Sequence, residues 1–304
     1  MSEVTPPRSV ASERIVPKAS EGASAHKVSP ASPIAMFDSG VGGLSVFKEA
    51  IKQLPGEDMI YFGDTARVPY GGRLPQEIVK FNQEIISFLV QAGAKLVIMA
   101  CGTSSAVAYP LVKDRYKVPI VSLIEPGARS AVSATETGKI GLIATQATVD
   151  SGAYQRAIKK LSRDSQVFAA ACPLFVPLVE GGFFEAEETK KVAAQYLKPL
   201  MKAGIDTLIL GCTHYPHLTK VLRQITGIKI KFVDPAEQAV VEVKKLLKER
   251  GLLSQRPGSS AKPNYQFFVS GQTAVFSDIG SKLLGRPLLN VRQVSLGRAG
   301  RKQV

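Results

Sequence analysis

Two stretches of the chain repeat one pattern: Ala92-Gly93-Ala94-Lys95-Leu96-Val97-Ile98-Met99-Ala100-Cys101 and Ala203-Gly204-Ile205-Asp206-Thr207-Leu208-Ile209-Leu210-Gly211-Cys212. Each closes a helix with Ala-Gly, runs through a short apolar segment, and ends on a small residue and a cysteine. A short unbroken apolar run is the signature of a strand covered on both faces, as parallel strands are. The chain has 3 cysteines in 304 residues, and two of them stand at matching strand ends. The pattern demands helix-to-strand units in a parallel sheet, twice over.

The rest of the chain alternates in the same way. Strands at Ile34–Phe37, Met59–Phe62, Val118–Leu123, Lys139–Thr145, Val167–Ala171, Ile228–Val233 and Tyr265–Ser270 are separated by helical stretches, among them one from Pro75 to Gln91 and one from Pro235 to Glu249. Such alternation predicts parallel sheets with crossover helices on both faces. The expected fold is α/β, with two pseudo-symmetric domains, each a mostly parallel sheet flanked by helices, and an active site in the cleft between them. Residues 1–32 mix Ser, Ala, Pro and both charges without an apolar segment and read as a disordered extension. Residues 33–124 together with 235–290 make the first domain, 125–234 the second, and 291–304 a basic tail. Gly251 to Asn264 reads as a linker.

Composition narrows the class. Hydrophobic content of 45% and charge of 21% are those of a globular protein, and no apolar run is long enough to span a membrane. Three cysteines make no disulfide framework and fit a reducing compartment, so the cytoplasm is expected. The net charge of +14 raises the question of nucleic acid. Half of it comes from Arg256 onward, where Arg256, Lys262, Lys282, Arg286, Arg292, Arg298, Arg301 and Lys302 face one acid, Asp278. These residues are scattered and match no nucleic-acid motif. They read as a solvated basic face rather than a nucleic-acid site.

In open α/β sheets ligands lie beyond the carboxyl ends of strands. Asp38-Ser39, Tyr70-Gly71, Cys101 to Thr103, Thr145 and Cys212 to His214 all follow strands, and they converge if the two halves face each other. A lone free cysteine is ordinarily a small buried residue, and Cys172, among apolar neighbours, is read so. A facing pair is different. One thiolate and one thiol on opposite sides of a carbon form a base and an acid, as a two-base proton transfer requires. The base needs a neighbour to stabilise its thiolate. Asp38 near the first thiol, and His214 or Glu180 near the second, are available. A metal reading of Cys212, His214 and His217 lacks further ligands, the remaining histidine being His26 in the leader, so no metal is expected. The loop from Asp38 to Gly43 matches neither the dinucleotide fingerprint nor the phosphate loop, and could hold a carboxylate on its N–H groups.

The segments FDSGVGGLSV, YFGDTARVPYG, ACGTSSA, IEPGA, ACPLFVPLVEGG and LILGCTHYPHL, in this order, resemble the glutamate racemases of the aspartate/glutamate racemase superfamily. The likeness runs from about Pro33 to about Gly285. It implies a cofactor-independent isomerase that interconverts L- and D-glutamate and supplies D-glutamate for peptidoglycan. By the same resemblance Cys101 acts on the D enantiomer and Cys212 on the L enantiomer. Asp38 and Ser39 hold the amino group and assist Cys101, while His214 and Glu180 assist Cys212. Tyr70, Gly71, Gly102, Thr103, Thr213 and His214 line the substrate, and Thr145 and Thr148 offer donors to a carboxylate.

One departure stands out. The usual sequence after the first cysteine is Asn-Thr-Ala-Ser-Ala, whereas this chain has Gly102-Thr103-Ser104-Ser105-Ala106. The missing amide leaves open a racemase acting on aspartate or a hydantoin, or a weakly active glutamate-binding homologue, and Gly102→Asn is expected to raise turnover. A homodimer is compatible with the sequence but not specified by it.

Overall fold

A computed structural model describes residues 28–256 and 262–296. Most of the leader, with His26, and the tail residues Arg298, Arg301 and Lys302 lie outside the described residues.

The first sheet contains β1 (Ile34–Asp38), β2 (Met59–Gly63), β3 (Leu96–Met99), β4 (Ile120–Val121), β9 (Tyr265–Val269) and β10 (Val291–Gln293). Their spatial order is β10-β9-β2-β1-β3-β4, and every neighbouring pair is parallel. Alternation along β1 explains why no polar face appears. Ile34 and Met36 enter the core beneath α1 (Leu44–Gln53), while Ala35 and Phe37 enter the core beneath α2 (Pro75–Gln91). After β3 come two short helices, α3 (Gly102–Val107) and α4 (Tyr109–Val112).

The second sheet contains β5 (Lys139–Ala144), β6 (Gln166–Ala171), β7 (Thr207–Leu210) and β8 (Lys231–Val233), in the all-parallel order β6-β5-β7-β8. One face is covered by α5 (Ile124–Ala134) and α7 (Ala153–Leu161). The other packs on α8 (Phe175–Glu180), α9 (Glu187–Ala203), a 3₁₀ turn (Tyr215–Leu218) and α10 (Thr219–Thr226). The short α6 (Gln146–Ser151) follows β5, with Thr145 as its N-cap. Then α11 (Pro235–Glu249) returns to the first core through Ala236, Ala239, Val240, Val243 and Leu247, joined there by α12 (Thr273–Leu284).

The architecture is the α/β pair of parallel sheets that the sequence pattern requires. Some boundaries differ. The expected strand Ile228–Val233 pairs only over Lys231–Val233, because Ile228 points into solvent beside the positive-φ Gly227. Val118–Leu123 pairs only over Ile120–Val121. Val291–Gln293, assigned by sequence to the tail, is the edge strand of the first sheet, with the guanidinium of Arg292 over the ring of Phe268. Several other basic residues of this segment are also engaged. Arg256 forms a two-pronged ion pair with Asp58, Arg286 lies over Tyr265, and Lys282 pairs with Asp278. Of the expected linker, residues 252–256 are therefore fastened to the sheet, with Ser254 N–H donating to Glu57 Oε1 at 2.8 Å, and residues 257–261 lie outside the described residues.

Candidate active site

Each sheet has one place where strand order reverses. In the first it lies between β1 and β3, and in the second between β5 and β7. Loops leaving such a point diverge to opposite faces and leave a crevice at the strand ends. Asp38-Ser39 and Cys101 leave the first crevice, and Thr145 and Cys212 leave the second. The two crevices face each other.

Together they enclose a cavity of about 230 Å³, lined on one side by Asp38, Ser39, Tyr70, Gly71, Cys101 and Thr103, and on the other by Thr145, Gln146, Cys212, Thr213 and His214. Cys101 and Cys212 thus open onto the same space. Both are free and buried, as is Cys172, which lies outside the cavity and whose thiol is driven upward in pKa chiefly by burial.

Around Cys212 the groups form a line. Its Sγ is 3.5 Å from His214 Nδ1, and His214 Nε2 is 2.8 Å from Glu180 Oε1. The carboxylate also accepts the Val41 N–H at 3.1 Å. Burial by itself would depress the imidazolium. The charge and hydrogen bond of Cys212, and then those of Glu180, outweigh it, so His214 is held well above its usual pKa. Glu180 moves the other way: burial would raise it, but the hydrogen bond and charge of His214 bring it below its usual value. The ring thus sets a positive charge beside the Cys212 sulfur. The ring is packed against Gly42, where a Cβ would lie 2.6 Å from His214 Cε1, so only glycine admits the histidine there.

Cys101 has a different setting. Burial, with the Asp38 carboxylate adding to it, pushes its thiol up to about 12. Its Sγ faces Ser39 Oγ at 3.9 Å. Asp38 is itself raised above the usual carboxylate range by burial, against the opposing charge of His214 and the N–H groups of Gly40 and Gly43. Its Oδ1 accepts from Gly40 at 2.9 Å and its Oδ2 accepts from Thr213 Oγ1 at 3.2 Å.

That last bond crosses the cleft, as do others. Thr103 Oγ1 and Thr145 Oγ1 are 2.8 Å apart; within the second half, Thr145 Oγ1 also lies 2.9 Å from Thr148 Oγ1. Ser45 Oγ donates to Thr213 O at 3.3 Å, and Ala147 N–H donates to Gly71 O at 3.2 Å. The halves are closed on each other.

A model of the Asp/Glu/hydantoin racemase family matches residues 11–243. The chain is 47% identical to the glutamate racemase of Geobacter metallireducens over 267 residues, covering 88% of this chain and 98% of that one. It is 45% identical to the glutamate racemase of Desulforudis audaxviator, with 87% and 98% covered. Among solved structures, glutamate racemase isoform RacE1 of Bacillus anthracis superposes with a TM-score of 0.83 at 36% identity, covering 87% and 98%. The glutamate racemase of Francisella tularensis, solved with D-glutamate, gives 0.81 at 35%, covering 88% and 98%.

The chain belongs to the Asp/Glu/hydantoin racemase family.

In this member of the racemase family three residues expected from sequence at the site do not line the cavity. Glu180 lies behind His214 and touches the space only through it. Gly102 is turned away: a Cβ there would collide with the carbonyl of Gly211 and lie 3.4 Å from Cys212 Cα. It serves as a backbone-to-backbone seam between the two cysteine loops and has no room for an amide. Thr148 is likewise buried behind Thr145.

Sequence reasoning passed over Pro69, Gly72, Gln146, Pro173 and Val176 in the lining. Gln146 could have been found, since it immediately follows a strand-end residue already singled out. It also passed over the support of Tyr70. The phenol donates to Asp64 Oδ2, the same oxygen that accepts Arg67 Nε at 2.7 Å, while Asp64 Oδ1 accepts Ser270 Oγ at 2.7 Å. Arg67 continues to Glu84 at 2.5 Å and lies over the Phe81 ring. Among the described residues no cluster of three or more His, Cys, Asp or Glu side chains is arranged to hold a metal ion, and no helix is long and apolar enough to cross a membrane.

Proposed function

We propose that this chain is an isomerase that interconverts L- and D-glutamate by proton transfer between two thiols, with no cofactor taking part. The observation that supports it most is that Cys101 and Cys212 line one cavity from opposite halves of the molecule, each with its own helper groups. Glutamate as the substrate rests on the relatives, which bear the name glutamate racemase at 47% and 45% identity.

The two thiols take opposite roles in each direction of the reaction. Cys212 faces an imidazolium and takes the base's role toward L-glutamate, accepting the α-proton. Cys101, kept as a neutral thiol by burial, donates its proton to the opposite face of the carbon. The product is D-glutamate, with Cys212 now a thiol and Cys101 a thiolate. The reverse reaction begins from that state, and the two must exchange a proton before the next turnover in the same direction. Asp38 and Ser39, which line the cavity, take the substrate's amino group in this reading, and Thr103, Thr145 and the N–H groups of the surrounding loops take its carboxylates. We place the domain limits near residues 124 and 235, and the cytoplasm as the compartment, where free thiols persist. D-glutamate would serve peptidoglycan synthesis.

The test is incubation with L-glutamate in deuterated water without added cofactor, followed by circular dichroism and mass spectrometry. Decay of optical activity to zero with one deuterium at the α-carbon is the expected result. Retained optical activity with no deuterium uptake would reject the proposal. The same assay on L-aspartate and a 5-substituted hydantoin separates the neighbouring substrates, and faster turnover of either would reassign the substrate.

A further inference from the structure

The first turn of α3 carries two buried serines that are used differently. Ser105 Oγ is fully engaged, donating to Met99 O at 2.8 Å and accepting the Leu123 N–H at 3.1 Å. Ser104 is equally buried, yet its Oγ has no hydrogen-bond partner among the described residues. Native proteins seldom leave a buried hydroxyl idle, and such a group calls for a reason.

Its position supplies one. Cys101 is the N-cap of α3, with extended backbone at φ −126° and ψ 121°, and Ser104 is the third residue of that helix. At this spacing the N–H and side chain of the third residue turn back toward the N-cap, the geometry of a capping box. Here the N-cap side chain is a sulfur. A neutral thiol is a weak acceptor and makes little call on the hydroxyl, whereas a thiolate is a strong one.

We propose that Ser104 is an auxiliary donor to Cys101, its hydroxyl held in reserve for the thiolate that forms when Cys101 gives its proton to the substrate carbon. The inference rests on the two-thiol reading above. As the S–H bond breaks, the hydroxyl rotates to donate to the sulfur; when Cys101 is reprotonated, the hydroxyl is released. No bond of Ser104 is made or broken. The titratable groups facing Cys101 are Asp38 and Cys212, whose charges oppose its ionisation, and the phenols Tyr61 and Tyr70, which burial keeps neutral. Against them the Ser104 N–H and hydroxyl both favour the thiolate. The motif that this segment resembles has alanine at this position, so Ser104 gives this chain a donor beside the cysteine that lacks the usual neighbouring amide.

The test compares wild type, Ser104→Ala and Ser105→Ala as full chains. Cys101 is alkylated with iodoacetamide at pH 7 to 9, and the rate of modification of its peptide is followed by mass spectrometry. At these pH values the rate tracks the small thiolate fraction, so Ser104→Ala should slow alkylation of Cys101 about tenfold at every pH. Racemisation should fall about tenfold, equally in kcat/KM for both directions because the enantiomers are equal in free energy. Ser105→Ala should lower the melting temperature and leave that alkylation rate in place. An unchanged alkylation rate in Ser104→Ala overturns the proposal even if glutamate is racemised. A slowed rate in a protein that racemises nothing upholds the Ser104 contact and removes the racemase reading instead.

Discussion

Gly102 and Gly211 meet backbone to backbone across the cleft, so that a single carbon added to Gly102 would drive into the Gly211 carbonyl. This contact sets the spacing between the loops bearing the two thiols. Adding a side chain at 102 must push those loops apart or prevent closure. Gly102→Asn is therefore expected to lower turnover by about tenfold or more rather than raise it, since small misplacements of reacting groups are costly. Gly102→Ala should behave similarly. The rate of optical decay measures this, and an increase for Gly102→Asn would show that the seam yields easily.

Glu180 holds His214 charged from behind. In Glu180→Gln the hydrogen bond to the ring can persist but the negative charge is gone. The His214 pKa should move down toward the ordinary histidine range, because its elevation depends in part on that charge. The alkaline limb of the rate profile should follow it to lower pH, with kcat down about ten- to a hundredfold. A titration of the ring by NMR reads the shift directly; an unmoved ring pKa would show that Cys212 alone sustains it.

Two histidines three residues apart should respond oppositely to pH. Burial, and then the charges of His214 and Lys48, depress His217 to about 4. Its folded form binds fewer protons than its unfolded form, so the stability it contributes is present above the ordinary histidine value near 6.5 and lost as pH falls toward 4. His214 is raised, and its contribution is present below about 6.5 and lost as pH climbs through its folded value. Urea midpoints at neutral and mildly acidic pH should fall less for His217→Gln than for wild type. An identical acid loss in both would assign it to other groups.

Asp64 is buried among Tyr70, Arg67 and Ser270. Tyr70→Phe removes one neutral donor and should cost about 1 kcal/mol of unfolding free energy. Asp64→Ala leaves Arg67 in a half-buried site with only Glu84 opposite it, and should cost about 3 kcal/mol. Both should raise KM more than they change kcat, because the loop they fix lines the cavity without holding a thiol. Denaturant unfolding and initial rates measure the two effects.

Much of this site could be read from the chain. Cys101, Cys212, Asp38 and Thr145 stand at strand ends, and in a parallel sheet strand ends alone nearly fix where a ligand goes. The pairing of His214 with Glu180 could not be placed from spacing, because Glu180 ends a six-residue helix containing Pro177 that leaves no periodic trace. The place of Gly102 was hidden for a similar reason: the atom it avoids belongs to Gly211, on the other sheet. Strand β10 escaped notice because three residues among basic neighbours resemble a tail, and only their pairing with β9 reveals them.

Ser270, at the end of β9, grips the carboxylate that steadies the Tyr70 loop. Both thiols are translated well before it, but the wall of the cavity they face is anchored only once the chain has grown beyond that serine. A ribosome-bound chain cut short ahead of β9 would carry every reacting sulfur and still lack a braced pocket. A strand made after both thiols thus decides when the pocket wall is first braced.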